Sequence, residues 1–281
     1  MTDVVVSELS IYPVKGCQGI EVDEVQITKT GVVGDRLFML SQDGEDVDQI
    51  KTPQMAALAI EWSEEDRRLV FSHPERGRYE HTARDTGPIQ TTTLALDTFE
   101  ARDQGDEVAD WLSTALGKSV RLVTAIEPWS KMLPLPQFEL IHQTPTERFC
   151  AVSPVSLSNA ASLDDLNARL KSPVPMNRFR MNVVVDGLAA WAEDDVVSLA
   201  SDSVELLRVT VCERCLITTT DQTTGERPKS DLLPTLNKFR RRQENRFASG
   251  LMFGAYMAVE KEGVLRVGDR LAVEYAADDT E

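Results

Sequence analysis

Short strand-like runs separated by turn residues recur along most of this chain, and they limit the folds that are open to it. The runs are rich in β-branched and other apolar residues and end at residues that favour turns, a pattern typical of strands. Because strands and helices do not alternate, the pattern favours a β-rich α+β fold, with barrel-like lobes and added helices, over a doubly wound sheet. The runs fall at residues 7–12, 21–28, 37–40, 180–185, 204–211, 216–220 and 264–273, with turns at Asp43-Gly44 and Gly268-Asp269.

Two segments show signals of amphipathic helices. In residues 106–116 apolar side chains recur at three- and four-residue spacing, and Gly117 follows where a helix C-cap is expected. Ser162 and the acidic residues after it resemble a capping box, which predicts a second helix over residues 162–170. The apolar face of the first helix consists of Val108, Trp111, Leu112 and Leu116.

A proline-rich segment indicates where two lobes meet. Residues 127–145 contain four prolines, which interrupt regular structure. We therefore divide the chain into an N-terminal lobe, residues 1–126, and a second lobe, residues 127–281, into which some N-terminal strands can also pack. The charged residues 63–88 are expected to form surface hairpins.

The acidic composition excludes several classes of partner. The chain has 46 Asp and Glu against 30 Lys and Arg, a formal charge of -16, which repels nucleic-acid phosphates and anionic lipid. Its apolar runs fall far below the roughly 20 residues needed to cross a bilayer, and no secretion signal is readable at the N-terminus. We expect no nucleic-acid or membrane partner and a cytoplasmic location, where the four cysteines stay reduced.

The sharpest local feature is the Cys-Glu-Arg-Cys motif at residues 212–215, for which three kinds of chemistry compete. A thioredoxin-like redox pair needs its motif at the start of a helix, but the β-favouring run 216–220 follows it here. A structural zinc site needs a second ligand pair, whereas Cys17, Cys150 and the three histidines stand isolated. A single thiolate ligand to a metal that is otherwise held by an organic cofactor needs only one cysteine, and we favour it.

Further motifs occur in a fixed order along the chain. They are Tyr-Pro-Val-Lys-Gly-Cys at 12–17, Gly-Asp-Arg at 34–36, Arg-Phe-Arg-Met-Asn at 178–182, Cys-Glu-Arg-Cys at 212–215, Thr-Thr-Thr-Asp at 218–221 with Gly225, Phe-Gly-Ala-Tyr at 253–256 and Val-Gly-Asp at 267–269. Together they resemble the MOSC domain family, in the branch that includes the mitochondrial amidoxime reducing component. The resemblance spans nearly the whole chain and implies a MOSC-type β-barrel with flanking helices plus an N-terminal β-barrel-like lobe.

The same resemblance implies a molybdenum cofactor, Mo-molybdopterin, bound by residues from both halves of the chain. A phosphorylated pterin dithiolene is a multiply charged anion, so an acidic protein must gather cations locally to bind it. The implied residues are Cys215 as molybdenum ligand and catalytic group, Lys15 and Arg36 with the Gly16 backbone amide at the phosphate, Arg180 and Asn182 at the pterin, Ser153 and Tyr256 completing the pocket, and Cys212 packed beside it.

Four positions depart from the pattern of that branch. Gly16 replaces the usual serine after the lysine, which removes a hydroxyl but keeps the backbone amide. Val152 and Met181 stand where relatives have threonine and proline, and they alter the pocket wall without removing charge. Ile50 stands where many relatives carry arginine, and nothing in the sequence explains that change.

The resemblance implies a molybdenum-dependent oxidoreductase that reduces N-hydroxylated small molecules by oxygen-atom transfer. Because no iron–sulfur, haem or flavin motif is readable, electrons are expected from a separate protein, ferredoxin-like or a flavin reductase. Two alternatives stay open. One is a cofactor carrier or sulfur-transfer module that uses Cys215 without redox turnover, and the other is a noncatalytic β-rich binding protein whose cysteine pair is structural.

Overall fold

The computed structural model describes residues 2–95, 97–129, 145–150, 152–242 and 250–275. The α-helices in these ranges are α1 (Asp106–Leu116), α2 (Ala160–Arg169) and α3 (Leu232–Phe239), and short 3-10 helices occur at Pro53–Ala57, Met176–Phe179, Ala192–Asp194 and Leu216–Thr219. The strands are β1 (Thr2–Ile11), β2 (Ile20–Val22), β3 (Glu24–Thr28), β4 (Gly31–Val32), β5 (Met39–Gln42), β6 (Glu45–Asp46), β7 (Ala59–Ser63), β8 (Arg68–His73), β9 (Gly77–Thr82), β10 (Ile89–Leu94), β11 (Asp97–Asp103), β12 (Arg121–Ala125), β13 (Val155–Asn159), β14 (Val183–Asp186), β15 (Val196–Ala200), β16 (Glu205–Arg214), β17 (Arg241–Arg242), β18 (Gly250–Lys261), β19 (Gly263–Arg266) and β20 (Arg270–Tyr275).

The largest sheet closes into a ring that joins the two ends of the chain. Its strand order is β13-β14-β1-β20-β15-β16-β18, and β18 pairs back onto β13. The first strand, β1, lies between β14 and β20 and is antiparallel to both. Fully buried side chains from these strands, among them Val4, Leu157, Leu206 and Leu271, belong to one apolar cluster. Burial of this cluster is the main force that holds the ring closed, because apolar burial is the dominant favourable term in folding.

A second, smaller barrel occupies the N-terminal half. It consists of β10, β11, β12, β5 and β6, and the separate sheet β7-β8-β9 stands beside α1. Trp111 of α1 stacks on Tyr79 at 5.8 Å between ring centroids and meets Phe71 at 6.0 Å. These aromatic contacts attach the sheet to the helix through one shared apolar cluster.

Most of the predicted elements are confirmed, including the β-rich α+β class with barrel lobes. Helix α1 has the predicted bounds, and Gly117 ends it in the left-handed conformation at φ 62°. Residues 63–88 contribute to the hairpin sheet β7-β8-β9, and Gly268-Asp269 separates β19 from β20. These predictions succeed because turn and cap residues act locally and depend little on distant contacts.

Three predicted elements are corrected by the structure. The predicted strand 216–220 is a 3-10 helix, Leu216–Thr219, because the Thr218 and Thr219 hydroxyls bond the carbonyls of Cys215 and Leu216 and stabilise a local turn. The helix predicted from residue 162 begins at Ala160, where Asn159 is the cap. The strand predicted from residue 180 begins at Val183, because Arg180 ends a 3-10 helix in the left-handed conformation.

Residues 130–144 of the proline-rich segment lie outside the described residues, and the division at residue 126 stays a prediction. Among the helices in the described ranges, none combines the length and the apolar composition needed to cross a membrane.

Candidate functional site

A cavity of about 260 Å³ opens at one end of the β13–β18 ring, and residues from both halves of the chain line it. All nine predicted site residues lie on its wall. They are Lys15, Gly16, Arg36, Ser153, Arg180, Asn182, Cys212, Cys215 and Tyr256. The fold thus brings residues that are up to 241 positions apart into one concave surface (Tyr256 against Lys15), while the role of each stays a prediction.

The two cysteines of the motif face different environments, because Cys212 lies in an irregular part of β16 and Cys215 lies after the end of that strand. The pairing of β16 with β18 shifts register between Val211 and Glu213, and such bulges re-aim side chains. Cys212 is 1% exposed, and burial raises the pKa of its thiol. Cys215 follows the end of β16 and is exposed on the cavity wall. A thiol available to a ligand is therefore found at Cys215 rather than at Cys212.

The predicted strand after the motif, one ground for excluding a thioredoxin-like pair, is wrong. A single 3-10 turn, Leu216–Thr219, follows Cys215, which is the residue before the first turn. Cys212 lies inside strand β16, so the motif does not begin a helix. The geometry that lowers a thiol pKa in such redox pairs therefore differs from the geometry seen here.

Arg36 is held at the cavity by a buried carboxylate. Its guanidinium pairs with Asp35, which is 0% exposed and also accepts a hydrogen bond from the Tyr12 backbone N–H at 2.8 Å. Burial disfavours the charge on Arg36, but the attraction of Asp35 and the hydrogen bond to it more than offset this and raise the Arg36 pKa. Arg36 adopts a left-handed backbone conformation, φ 51°, at the turn after β4.

Tyr12 forms a shared platform for two arginines. The guanidinium carbon of Arg36 lies 4.9 Å from the Tyr12 ring centroid, and that of Arg180 lies 4.4 Å from it. The tyrosine hydroxyl donates to the carbonyl of Met181 at 3.2 Å, which fixes the ring. Cation–π attraction to one ring thus offsets part of the repulsion between two like charges.

Arg180 is desolvated, and its hydrogen-bond partner is neutral. Burial lowers its pKa to about 10, so the side chain is still charged at neutral pH. Its Nη1 donates to the side-chain oxygen of Gln222 at 2.8 Å. Within the described residues no carboxylate lies within 4 Å of the Arg180 guanidinium.

Two further cations on the wall are paired with acids. Lys15 Nζ lies 2.5 Å from Asp46, and both side chains are partly exposed. Arg178 donates to Asp221 at 2.8 Å and to the carbonyl of Thr219 at 3.0 Å. Burial is the main cause that lowers the pKa of Arg178, and its Nε is buried with no hydrogen-bond partner among the described atoms.

Arg214 binds backbone acceptors from two other elements. Its Nε donates to the carbonyl of Phe253 on β18, and its Nη1 donates to the carbonyl of Phe179, both at 2.9 Å. The residue before Cys215 therefore ties the end of β16 to β18 and to the Met176–Phe179 turn.

Asn182 and Ser153 are engaged with the protein itself. The Asn182 side-chain oxygen accepts from the Ser156 hydroxyl at 2.9 Å and lies 3.4 Å from Arg36 Nη1. The Ser153 hydroxyl donates to the carbonyl of Met257 at 2.7 Å. Asn182 thus supports the Arg36 side chain, and Ser153 fixes the start of β13.

Tyr256 keeps its proton at neutral pH. Its packing on β18 raises its pKa well above the ordinary value, first through burial and then through the neighbouring Cys212 sulfur. The side chain is therefore a hydroxyl, able to donate a hydrogen bond, on the cavity wall.

Gly16 has a conformational reason to lack a side chain. Its φ is 84°, and a Cβ there would stand 2.7 Å from Met55 Cε. The exchange of serine for glycine in this chain is therefore matched by the position of Met55, which occupies the space of the lost side chain.

The cavity concentrates positive charge in an acidic protein. Five cationic side chains line it, Lys15, Arg36, Arg178, Arg180 and Arg214, against two carboxylates, Asp48 and Glu213. Residues that sequence reasoning left out of the site are Tyr12, Asp35, Arg178, Arg214, Gln49 and Gln222. The first four lie inside or beside the recognised motifs, so the motifs could have found them, whereas no local signal marks Gln49.

Two domain families match this chain. The MOSC N-terminal beta barrel domain matches residues 3–119, and the MOSC domain matches residues 144–272. Mitochondrial amidoxime reducing component 2 of Bos taurus is 32% identical over 279 residues, which cover 94% of this chain and 81% of that protein. Mitochondrial amidoxime-reducing component 1 of Mus musculus is 30% identical, over 94% of this chain and 80% of that protein.

Among solved structures, the YUAD protein from Bacillus subtilis aligns with 98% of this chain and 97% of its own at 10% identity and a TM-score of 0.44. The family is shown by the two domain matches and by 32% identity to the Bos taurus protein over most of both chains. The chain therefore belongs to the MOSC family, with an N-terminal MOSC β-barrel domain, and is similar to the mitochondrial amidoxime reducing components.

Proposed function

We propose that this protein binds the molybdenum cofactor in the cavity and uses it to reduce N-hydroxylated small molecules. The observation that carries the proposal is the exposed Cys215 thiol on a wall that also holds five cationic side chains, in a protein of net charge -16. Its relatives are named for the reduction of amidoximes, which are N-hydroxylated compounds. We therefore infer that this chain reduces the same class of substrate, N-hydroxylated compounds.

The residues on the wall fit such a cofactor chemically. A thiolate is a soft donor suited to molybdenum, and guanidinium groups form paired hydrogen bonds to phosphate. The buried Nε of Arg178, which has no hydrogen-bond partner among the described residues, adds a donor beside the cavity. Both the metal end and the anionic end of the cofactor thus have complementary groups.

Each part of the wall has an assigned task in this proposal. Cys215 is the metal ligand. The Lys15 ammonium, the Gly16 backbone amide and the Arg36 guanidinium hold the phosphate, and Arg180 and Asn182 contact the pterin. Ser153 and Tyr256 complete the pocket, with Cys212 packed beside it.

When bound, the cofactor supplies two-electron oxygen-atom-transfer chemistry. The chain's own residues bind and orient the reactants: the arginines fix the anionic end, and the apolar Phe149 and Phe179 on the wall exclude water. Tyr256 holds its proton at the phenolic oxygen, so it can donate a hydrogen bond to a polar substrate. Reducing electrons come from a separate ferredoxin-like protein or flavin reductase, and the proposed location is the cytoplasm.

The ligand assignment is tested by a matched pair of substitutions. In protein made in a host that synthesises the cofactor, Cys215→Ala should lower reduction of an amidoxime by a reduced dye at least a hundredfold and change the molybdenum spectrum. Cys212→Ala should keep most of both, because its buried sulfur acts as a small apolar group. The measurements are turnover, molybdenum and pterin content, and the metal's electron paramagnetic resonance spectrum.

Three results would contradict this assignment. Equal losses in the two variants would remove the distinction between the cysteines. Retained cofactor without turnover in the wild type would favour a carrier or sulfur-transfer module. A wild-type protein that contains neither molybdenum nor pterin would leave a noncatalytic binding protein.

A further inference from the structure

Two buried glutamines from opposite halves of the chain face each other beside the cavity. Gln49 is 0% exposed and Gln222 is 4% exposed. Each side-chain nitrogen donates to the other's side-chain oxygen at 3.1 Å. A reciprocal amide pair of this kind satisfies two buried polar groups at once, which a single glutamine in that place would not do.

The pair reaches the cavity at both of its ends. The Gln49 nitrogen also donates to the carbonyl of Gly16 at 2.7 Å, and the Gln222 oxygen also accepts from Arg180 Nη1 at 2.8 Å. Gly16 and Arg180 both line the cavity. The amide pair is therefore a bridge between the proposed phosphate end and the proposed pterin end of the site.

The orientation of the pair is determined by its surroundings. The second hydrogen of the Gln222 nitrogen goes to the carbonyl of Thr220 at 3.1 Å. Exchanging the oxygen and nitrogen of Gln222 would place a donor against the Arg180 guanidinium and another against Gln49. The backbones are held too, since Gln18 donates to the Gln222 carbonyl and Arg227 donates to the Gln49 carbonyl.

Arg180 differs from three of its four cationic neighbours in the charge of its partner, the exception being Arg214, which is held by two backbone carbonyls. Lys15, Arg36 and Arg178 each pair with a carboxylate, which cancels much of their field. The side-chain acceptor of Arg180 is the neutral amide of Gln222. A neutral acceptor fixes the direction of a guanidinium and leaves its full charge for a ligand.

We propose that Gln222, braced by Gln49, is a positioning residue that holds Arg180 through a neutral acceptor, so that an uncompensated positive charge faces an anionic group in the cavity. The identity of that anion as the molybdenum cofactor rests on the proposed function. The bracing itself depends only on this chain's residues, and it can be tested without the cofactor.

The first experiment measures the electrostatic potential near the Cys215 sulfur in cofactor-free protein. The thiol is alkylated with anionic iodoacetate and with neutral iodoacetamide, and the ratio of the two rate constants cancels the thiolate fraction. Cleavage by trypsin after Arg214 separates Cys212 from Cys215 for mass spectrometry. Gln222→Glu should lower the iodoacetate to iodoacetamide ratio by roughly three- to tenfold, because a carboxylate would neutralise Arg180.

Gln104→Glu is the matched control. Gln104 is also a buried glutamine that holds an arginine, through the Arg84 backbone, but it lies outside the cavity. The ratio should stay within twofold of the wild type in this control. An unchanged ratio in Gln222→Glu, or an equal fall in both variants, would overturn the proposal.

The second experiment tests the position of the Arg180 side chain separately from the charge of its partner. Inorganic pyrophosphate should protect Cys215 of the wild type from iodoacetamide. Gln222→Met keeps the volume and adds no charge, so the alkylation ratio should stay within twofold while the pyrophosphate concentration for half protection rises at least threefold. Equal protection of variant and wild type, or no protection of the wild type, would overturn the bracing role.

Molybdenum and pterin content of the same proteins separates the two proposals. A wild type without cofactor would refute the proposed function, while the alkylation and protection results would still decide the role of Gln222. Thermal unfolding of each variant shows whether it is folded, and the Met and Glu variants provide two independent routes to the answer.

Discussion

The buried Asp35 carboxylate makes the Arg36 side chain necessary for the stability of the fold. It is fully buried, and its charge is balanced by Arg36 and by the Tyr12 backbone N–H. Removing one partner of a buried ion pair leaves an uncompensated charge, which costs more than the pair itself contributes. Arg36 is therefore needed by the fold as well as by the proposed cofactor, and a change at Arg36 alone has two effects.

A double-mutant cycle separates those effects. Arg36→Gln should lower the free energy of unfolding of cofactor-free protein by about 3–5 kcal/mol, since it leaves the Asp35 carboxylate buried without its cation. Asp35→Asn combined with Arg36→Gln should recover at least half of that loss. Urea unfolding at pH 7 measures both, and equal stability of the single and double variants would contradict the pairing.

The sequence predicted only some of the residues on the cavity wall. Lys15, Arg36, Arg180 and Cys215 were found because each lies in a motif and has a side chain suited to an anion or a soft metal. Gln49 was not found, because a buried amide has no such signature until its partner, 173 residues away, is known.

At the scale of elements, a short 3-10 helix places a carboxylate in the core. Glu193, in the Ala192–Asp194 turn, is 0% exposed and accepts from the Ser162 hydroxyl at 2.7 Å, next to the start of α2. Its other oxygen has no hydrogen-bond partner among the described atoms. Burial raises the pKa of Glu193 to about 7.

This raised pKa predicts a pH dependence of stability. The folded-state pKa lies above the ordinary value of 4.5, so the contribution of Glu193 is fully present below pH 4.5 and is lost as pH rises through about 7. The free energy of unfolding of the wild type relative to Glu193→Gln should therefore fall by on the order of a few kcal/mol between pH 5 and pH 8. Urea unfolding of both proteins across that range measures it, and parallel curves would contradict it.

The strand prediction for residues 216–220 failed where strand propensity competed with local side-chain-to-backbone hydrogen bonds. Thr, Ile and Leu favour strands, yet residues 216–219 turn away from the ring because hydroxyl-to-carbonyl bonds stabilise a turn after Cys215. By contrast, α1 and Gly117 agreed with prediction, since helix periodicity and a left-handed cap are local signals.

At the scale of the molecule, the N-terminal strand is part of the C-terminal half. β1 lies between β14 and β20, and residues that follow it, Lys15 and Gly16, line the cavity together with Cys215. The two lobes inferred from the proline-rich segment therefore share one sheet.

We therefore expect that the second lobe does not fold when it is separated from the first. A fragment of residues 127–281 lacks β1, which leaves β14 and β20 without their common neighbour and exposes the apolar face that Val4 and Val6 cover. We expect this fragment to show poorly dispersed amide signals in a proton–nitrogen NMR spectrum and no cooperative thermal transition. Adding residues 1–126 in trans is the control, and a fragment that unfolds cooperatively by itself would contradict the expectation.

Local signals in the chain were enough to predict its β-rich class, helix α1, most of its turns and its family, and its motifs indicated Cys215 and three of the five cations on the cavity wall, because propensity, capping and motif chemistry act over a few residues. Tertiary structure alone decided which cations keep a neutral partner, that Gln49 and Gln222 meet beside the cavity, and that the first strand completes the second half. These outcomes depend on contacts between residues distant in sequence, 42 positions for Arg180 and Gln222 and 173 for Gln49 and Gln222, and neither spacing nor composition encodes such contacts directly.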